Sequence, residues 1–275
     1  MRMVKLKSNI TTVNHPEIAD IHSEKDRRNV FIDKAGAKNL NFPFLYKTLG
    51  EVRQISGEVD AFVSVEPSHK GVHMSRFIKI IGYYSNNILN FSEVSKLLRD
   101  LQNNLQEKNV HLSIKFKLLI SKEAPITKQT GFVSYDCEYI GKKISKKTKI
   151  YLKVRVPVTT LCPGSKAVST FGAHNQRGFI AVIVEAVEEV SFIDLIYYAE
   201  KFGASCEIFT NVKREDEKFM TEKAFQNAKF VEDSVRSVVE QLKYDKRFKG
   251  YYVSCQNMDS IHLHDTFAEV NKLIW

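Results

Sequence analysis

The sequence predicts an α+β fold with largely antiparallel sheet. Three observations lead there. Segments rich in β-branched and aromatic residues come in groups before and after helical segments, without regular βαβ alternation. Between the groups, apolar residues recur at helical spacing. Neither Gly-x-x-x-x-Gly-Lys-[Ser/Thr] nor Gly-x-Gly-x-x-Gly occurs, which removes the main support for a Walker-type ATPase or a Rossmann fold.

Taken in order, residues 1–28 are polar and lack a sustained period, so they read as an N-terminal arm. Ala61–Val65, Phe77–Tyr84, His111–Ile120, Gly131–Tyr139 and Lys149–Val158 carry strand composition. Phe91–Lys108 reads as a helix: Val94, Leu97, Leu98, Leu101 and Leu105 fall on one face, opened by an Asn90…Glu93 capping pair. Phe179–Val187 is strand-like. Ser191–Phe202 is a helix that starts at Ser191…Asp194 and stops at Gly203. Ser205–Val212 reads as a further strand. Thr221–Tyr244 is the longest expected helix, with Val231, Val235, Val238, Val239 and Leu242 on one stripe. Tyr251–Gln256 and a short terminal helix from Asp265 complete the chain.

Composition narrows the function classes. The 275 residues are 43% hydrophobic and 27% charged, with 18 Phe and 11 Tyr, enough for a large core and unlike a disordered chain. The longest apolar runs fall far short of the roughly 20 residues that span a bilayer. The basic start leads into Ser-Asn-Ile-Thr-Thr rather than a secretory apolar stretch. Four scattered cysteines give neither a disulfide framework nor a Cys-x-x-Cys zinc knuckle. A soluble cytoplasmic protein is expected. The net charge of +9 points to nucleic acid, an anionic membrane surface or a phosphorylated small molecule. Five of the lysines lie within Gly141–Lys149, between two strand-like stretches and with no aromatic residue to stack on a base. That segment reads as a solvated hairpin tip, not a nucleic-acid patch.

Three constellations could carry chemistry. Cys162-Pro-Gly-Ser-Lys166 is followed by His174-Asn-Gln-Arg177; a thiolate and an imidazole twelve residues apart are good ligands for a borderline metal if the chain turns back. The plain alternative is a small buried cysteine. Glu207 sits in the apolar context Cys206-Glu-Ile-Phe209: facing inward it is a buried carboxylate that needs a cation, a metal or a proton, and facing outward an ordinary surface residue. The charged run 213–223 that follows could surround a polyphosphate or form a salt-bridged helix entry. Gly71-Val-His73-Met-Ser-Arg76 and Ser260-Ile-His262-Leu-His264-Asp265 supply histidines for proton transfer. His262 and His264 would share one face of a strand and form a chelating pair, or lie in a surface turn.

Together these segments resemble the GTP cyclohydrolase IB family, prokaryotic enzymes that open the guanine ring of GTP. The resemblance runs from about Asn29 to the end. It rests on ordered blocks: Gly71-Val-His-Met-Ser-Arg-Phe77, Val158-Thr-Thr-Leu-Cys-Pro163 with Ser165-Lys166, Gly172-Ala-His-Asn-Gln-Arg-Gly178, Lys213-Arg214, Asp216-Glu-Lys218, Thr221-Glu-Lys-Ala-Phe225, Lys229-Phe-Val-Glu-Asp233 and Asp259-Ser-Ile-His-Leu-His-Asp265. The resemblance implies a tunnelling fold with two modules per chain, here 29–158 and 159–275, helices packed on one face, and a homotetramer with active sites at subunit interfaces. It implies GTP as substrate, formate and 7,8-dihydroneopterin triphosphate as products, and one divalent metal per site (zinc, manganese or iron(II)). By the same resemblance Cys162, His174 and Glu207 would hold the metal, and Glu222 would grip the purine edge. His73 and His262 would transfer protons beside Cys162. Arg76, Lys166, Arg177, Lys213 and Arg214 are candidates for the triphosphate, from charge and neighbourhood.

Two positions depart from the family pattern. The family usually reads Leu-Cys-Pro-Cys-Ser where this chain reads Leu161-Cys-Pro-Gly164-Ser165, and Glu215 stands where a proline is common. The missing second thiol leaves two alternatives to the leading reading: a non-catalytic purine or pterin binder, and an archaeal-type enzyme whose product is a cyclic phosphate of dihydroneopterin.

Overall fold

The computed structural model describes His22 and residues 24–273; the arm assigned to residues 1–28 lies mostly outside the described residues. Eight strands form one antiparallel sheet in chain order. They are β1 (Ile32–Thr48), β2 (Glu51–Val65), β3 (Asn109–Glu123), β4 (Thr130–Ile144), β5 (Lys147–Leu161), β6 (Asn175–Ala186), β7 (Phe248–Asn257) and β8 (Thr266–Asn271). The helices are α1 (Met74–Tyr84), α2 (Phe91–Leu105), the short α3 (Pro163–Val168), α4 (Phe192–Tyr198) running into a π-helical turn (Ala199–Gly203), α5 (Arg214–Gln226) and α6 (Val231–Leu242). Two strands, helices and two strands therefore occur twice. The repeat divides at the β4–β5 turn, whereas the expected division at 158/159 falls inside β5.

Strand alternation explains the layering. In β3, Val110, Leu112, Ile114, Phe116, Leu118 and Ile120 are buried under the helices while His111, Lys115 and Lys117 face away. On that open face Glu58, Lys115, Glu138 and Lys153 lie opposite one another across four strands with alternating sign. The Lys-rich hairpin tip is borne out: β4 and β5 turn at Ser145-Lys146, both exposed.

Several sequence expectations need correction. Phe77–Tyr84 belongs to α1, because Phe77, Ile81 and Tyr84 bury one helical stripe. The terminal segment from Asp265 is strand β8, paired with β7, rather than a helix. Ser205–Val212 makes only a single bridge, Thr159 to Cys206. The long helix breaks between α5 and α6, where Asn227 Nδ2 donates to the carbonyls of Ala204 and Ser205 (2.9 and 3.1 Å) and the Lys229 amide donates to Leu161 O (3.1 Å). Strand β1 was not foreseen. Its hairpin with β2 turns through Leu49 (φ 48°) and Gly50 (φ 85°), both left-handed as a two-residue turn of this kind requires. The Asn90 cap is present, Oδ1 accepting from the Glu93 amide at 2.9 Å.

The two halves are joined through apolar and charged contacts. Phe192 of α4 packs edge-on against Phe116 and Tyr139, with ring centroids 5.5 and 4.9 Å apart. Three carboxylates of the second half reach into the first. Glu189 accepts from the amide that opens α2, Phe91 N, at 3.0 Å. Glu200, on the π-helical turn, accepts from Tyr135 Oη (2.7 Å) and Lys122 Nζ (2.8 Å). Asp216 accepts from the amides of Ile126 and Thr127 (both 2.9 Å) and from Thr127 Oγ1 (2.5 Å), and from the Lys213 amide at the start of its own helix (3.0 Å).

Burial raises the Asp216 carboxyl pKa, but the hydrogen bonds from Thr127, Lys213 and Ile126 outweigh it and hold the group well below the usual carboxylate range. A pKa depressed by folding contributes stability that is complete above the unfolded value of about 3.9 and is lost as pH falls through the folded value. Asp216→Asn is therefore expected to lower the melting temperature at neutral pH, with the gap from the parent narrowing near pH 3. Thermal unfolding followed by circular dichroism checks this, and a gap independent of pH would refute it.

Candidate functional site

Cys162 and His174 lie side by side in the backbone because β5 and β6 pair to their ends. The ladder runs from Ile150 opposite Ala186 to Leu161 opposite Asn175, and the Cys162 amide extends it by donating to His174 O at 3.1 Å. Along both strands the even-numbered residues face the helices: Val154, Val156 and Val158 on β5, Ile180, Val182 and Val184 on β6. Cys162 and His174 continue that side past the point where apolar cover ends. Cys162 then caps α3, its Sγ accepting from the Ser165 amide at 3.4 Å. His174 Nδ1 lies 3.1 Å from Ser260 Oγ, which leaves Nε2 as its other ring donor atom.

Both residues line a cavity of about 420 Å³. Gln176, Lys229, Glu232 and Asn257 share its wall, as do Asp259, His262 and His264. Asp259 Oδ1 accepts from the amides of Ile261 (2.8 Å) and His262 (2.9 Å) and lies 3.2 Å from His262 Nδ1. The bonds from Ile261 and His262 lower its pKa. The rings of His262 and His264 stack with centroids 5.1 Å apart in a turn before β8, not on a strand. Lys229 Nζ donates to Phe202 O at the end of the π-helical turn, and burial lowers its pKa.

The other sequence candidates lie elsewhere. Glu207 does not line this cavity; its carboxylate sits 3.8 Å from Lys122 Nζ and 3.6 Å from Lys223 Nζ, so its charge is already matched. Glu222 is exposed on α5, 3.9 Å from Lys218 Nζ. Lys166 Nζ donates to Phe225 O at 2.5 Å and lies over that ring. Arg177, Lys213 and Arg214 are exposed. His73 and Arg76 line a separate pocket of about 230 Å³ in the first half with His22, His69 and the buried Glu107. Glu232, Asp259 and Gln176 were not among the assigned site residues, although all three stand in the blocks that carry the resemblance. Their types were legible, but their convergence was not.

Among the described residues, no three His, Cys, Asp or Glu groups come together closely enough to hold a metal ion. Thiol and imidazole do suit a borderline divalent cation by donor type, and Cys162 and His174 are adjacent. Two donors of the expected three thus line one cavity of a single chain, while the Glu207 carboxylate lies beside Lys122 and Lys223. Gly164 is not required by space: a Cβ there would lie 3.7 Å from Cys162 Sγ and 3.8 Å from Phe230, ordinary contacts.

Comparison with known proteins bears on this arrangement. The family model described as "Type I GTP cyclohydrolase folE2" matches residues 18–268. The chain belongs to this family. It is 37% identical over 256 residues to the GTP cyclohydrolase FolE2 of Syntrophobacter fumaroxidans, covering 92% of this chain and 98% of that protein. It is 38% identical over 263 residues to the FolE2 protein of Nitrosospira multiformis, covering 95% and 99%. Among solved structures, uricase from Arthrobacter globiformis superposes with a TM-score of 0.53 at 7% identity, covering 87% of this chain and 93% of that one. The chain thus has the tunnelling fold that the resemblance implied. No helix among its described residues is long and apolar enough to cross a membrane.

The four thiols of the chain differ sharply in environment. Cys137, Cys206 and Cys255 are buried, and burial raises the pKa of each, that of Cys255 to about 11. Cys162 is partly exposed. One thiol is expected to react rapidly with Ellman's reagent in the native protein and four after denaturation. Cys162→Ala should remove the rapid phase, and a rapid phase that survives would refute the assignment.

Proposed function

We propose that this chain hydrolyses GTP at the guanine ring, releasing formate and giving 7,8-dihydroneopterin triphosphate in folate biosynthesis. The observation that carries the reading is the convergence of Cys162, His174 and His262 on one cavity in a chain of the FolE2 family. Cys162 and His174 are the residues we assign to a divalent metal. Such a metal supplies the positive charge that makes a water acidic enough to attack near neutral pH.

The remaining roles follow from the cavity wall. His262 is oriented by Asp259, as a proton-transferring imidazole needs to be, and its Nε2 serves to exchange a proton with a ring nitrogen. A carboxylate can accept from both guanine N1–H and the 2-amino group, which selects guanine over adenine. Glu232 lines the cavity and Glu222 does not, so we assign this task to Glu232. The cations Lys166, Arg177, Lys213 and Arg214 remain candidates for the triphosphate.

The assembly proposal has its own support. Val168 at the end of α3 and Phe171 after it are 86% and 97% exposed, and Ile261 and Leu263, beside His262 and His264, are 64% and 109% exposed. Large apolar side chains so placed fit a covering subunit. A homo-oligomer, which we take to be a tetramer of two-module chains, would bring His73 and Arg76 of one copy to the cavity of another. The match to the FolE2 family model over residues 18–268 supports an enzyme over a non-catalytic binder despite Gly164.

Chelator-stripped protein reconstituted with Mn²⁺, Zn²⁺ or Fe²⁺ is expected to release formate from GTP with at least one metal. Cys162→Ala and His174→Ala should abolish release and lower bound metal, whereas Glu207→Gln should leave metal content unchanged. Glu232→Gln should lower kcat/KM by about 100-fold, Glu222→Gln by less than about threefold. Folded, metal-loaded protein that binds GTP without releasing formate would overturn the enzyme reading.

A further inference from the structure

The turn between β7 and β8 touches both imidazoles to which the proposed chemistry gives a role. Its start is anchored. The Met258 amide donates to Arg177 O at 3.0 Å, and Asp259, its side chain 8% exposed, accepts from the amides of Ile261 and His262 at 2.8 and 2.9 Å. Those bonds hold the backbone on both sides of Ser260. Asp259 Oδ1 then lies 3.2 Å from His262 Nδ1, and Ser260 Oγ lies 3.1 Å from His174 Nδ1. One turn therefore sets the proton-transferring imidazole and the metal-assigned imidazole in relation to each other.

His174 lines the cavity and Ser260 does not, so the Nδ1 edge of the ring is turned to the serine and the rest of the ring to the cavity. A neutral imidazole carries its hydrogen on one nitrogen only, and the hydrogen bonds around the ring decide which. A hydroxyl both donates and accepts, so the 3.1 Å contact fits either arrangement. With the hydrogen on Nδ1, Nε2 keeps a lone pair for a cation. With the hydrogen on Nε2, it has none. Only the first arrangement makes His174 a ligand on its cavity side.

We propose that Ser260 is a positioning residue for His174: its Oγ accepts a hydrogen bond from Nδ1–H, which leaves the Nε2 lone pair directed at the cavity for a divalent cation. This rests on the assignment of Cys162 and His174 to a metal and names the residue that sets the tautomer of the imidazole. Asp259 serves the arrangement by shaping the turn that presents Ser260.

Co²⁺ titrated into chelator-stripped protein is the probe, because a cobalt–thiolate bond gives a charge-transfer band that reports Cys162 without any turnover. Ser260→Ala is expected to bind Co²⁺ about 10-fold more weakly than the parent, with the thiolate band still reached at saturation. Ser260→Thr, which keeps a hydroxyl, should bind within about threefold of the parent. Ser260 is exposed, so the metal-free variants should melt within about 2 °C of the parent. Nitrogen-15 NMR of histidine-labelled, metal-free protein above about pH 8 locates the hydrogen itself. The His174 signals, identified by their loss in His174→Gln, should show it on Nδ1 in the parent and moving towards Nε2 in Ser260→Ala. Unchanged or tighter Co²⁺ binding in Ser260→Ala, or a hydrogen on Nε2 in the parent, would overturn this inference while leaving Cys162 as a metal ligand. A parent protein that binds no Co²⁺, or binds it without the thiolate band, would overturn both.

Discussion

The pairing of β5 with β6 is the constraint on which the candidate site depends. Twelve consecutive residue pairs set the register, and the buried sides of both strands hold it, because a slip of one residue would turn Val154, Val156, Ile180 and Val182 out of the core. The same slip would carry Cys162 and His174 to the opposite face. Core packing and site geometry are thus one requirement. The cavity opens where the helix-covered face runs out of apolar side chains and polar ones continue its rows.

A second constraint joins the halves of the chain. Glu189, Glu200 and Asp216 all belong to the second half and all accept hydrogen bonds from the first. Burial raises the pKa of Glu200, so its bonds to Lys122 and Tyr135 matter to its charged form. Lys122 also faces Glu207, and that shared cation explains why a carboxylate in an apolar sequence context stays away from the cavity. The π-helical turn that bears Glu200 also presents Phe202 O to Lys229 on the cavity wall. Inter-half contacts therefore reach the site through a short chain of bonds.

Reading helices and strands succeeded where burial follows one period. Val94 to Leu105 on α2 and Val231 to Leu242 on α6 are examples. It failed where partners decide. Phe77–Tyr84 has strand composition, yet its buried residues are spaced for a helix on the sheet. Asn227 is a residue type common at helix C-termini, and the break is fixed where β5 and the segment after Gly203 offer carbonyls to it and to Lys229. At Gly203 a Cβ would lie 2.4 Å from Ile180 Cδ1 and 2.9 Å from Val238 Cγ2, so a larger residue there would make these core side chains shift.

The sequence by itself determined the chemical inventory: thiol, imidazoles, carboxylates and cations in ordered blocks, an antiparallel α+β fold, and the family. Those are properties of residue type, order and local period. Only the tertiary structure decided which of them meet. Cys162, His174 and His262 converge with Glu232 and Gln176, while Glu207, Glu222 and His73 go elsewhere. The physical reason is that strand register, helix breaks and ion-pair competition act between residues far apart in the chain. No single segment carries those interactions in its own sequence.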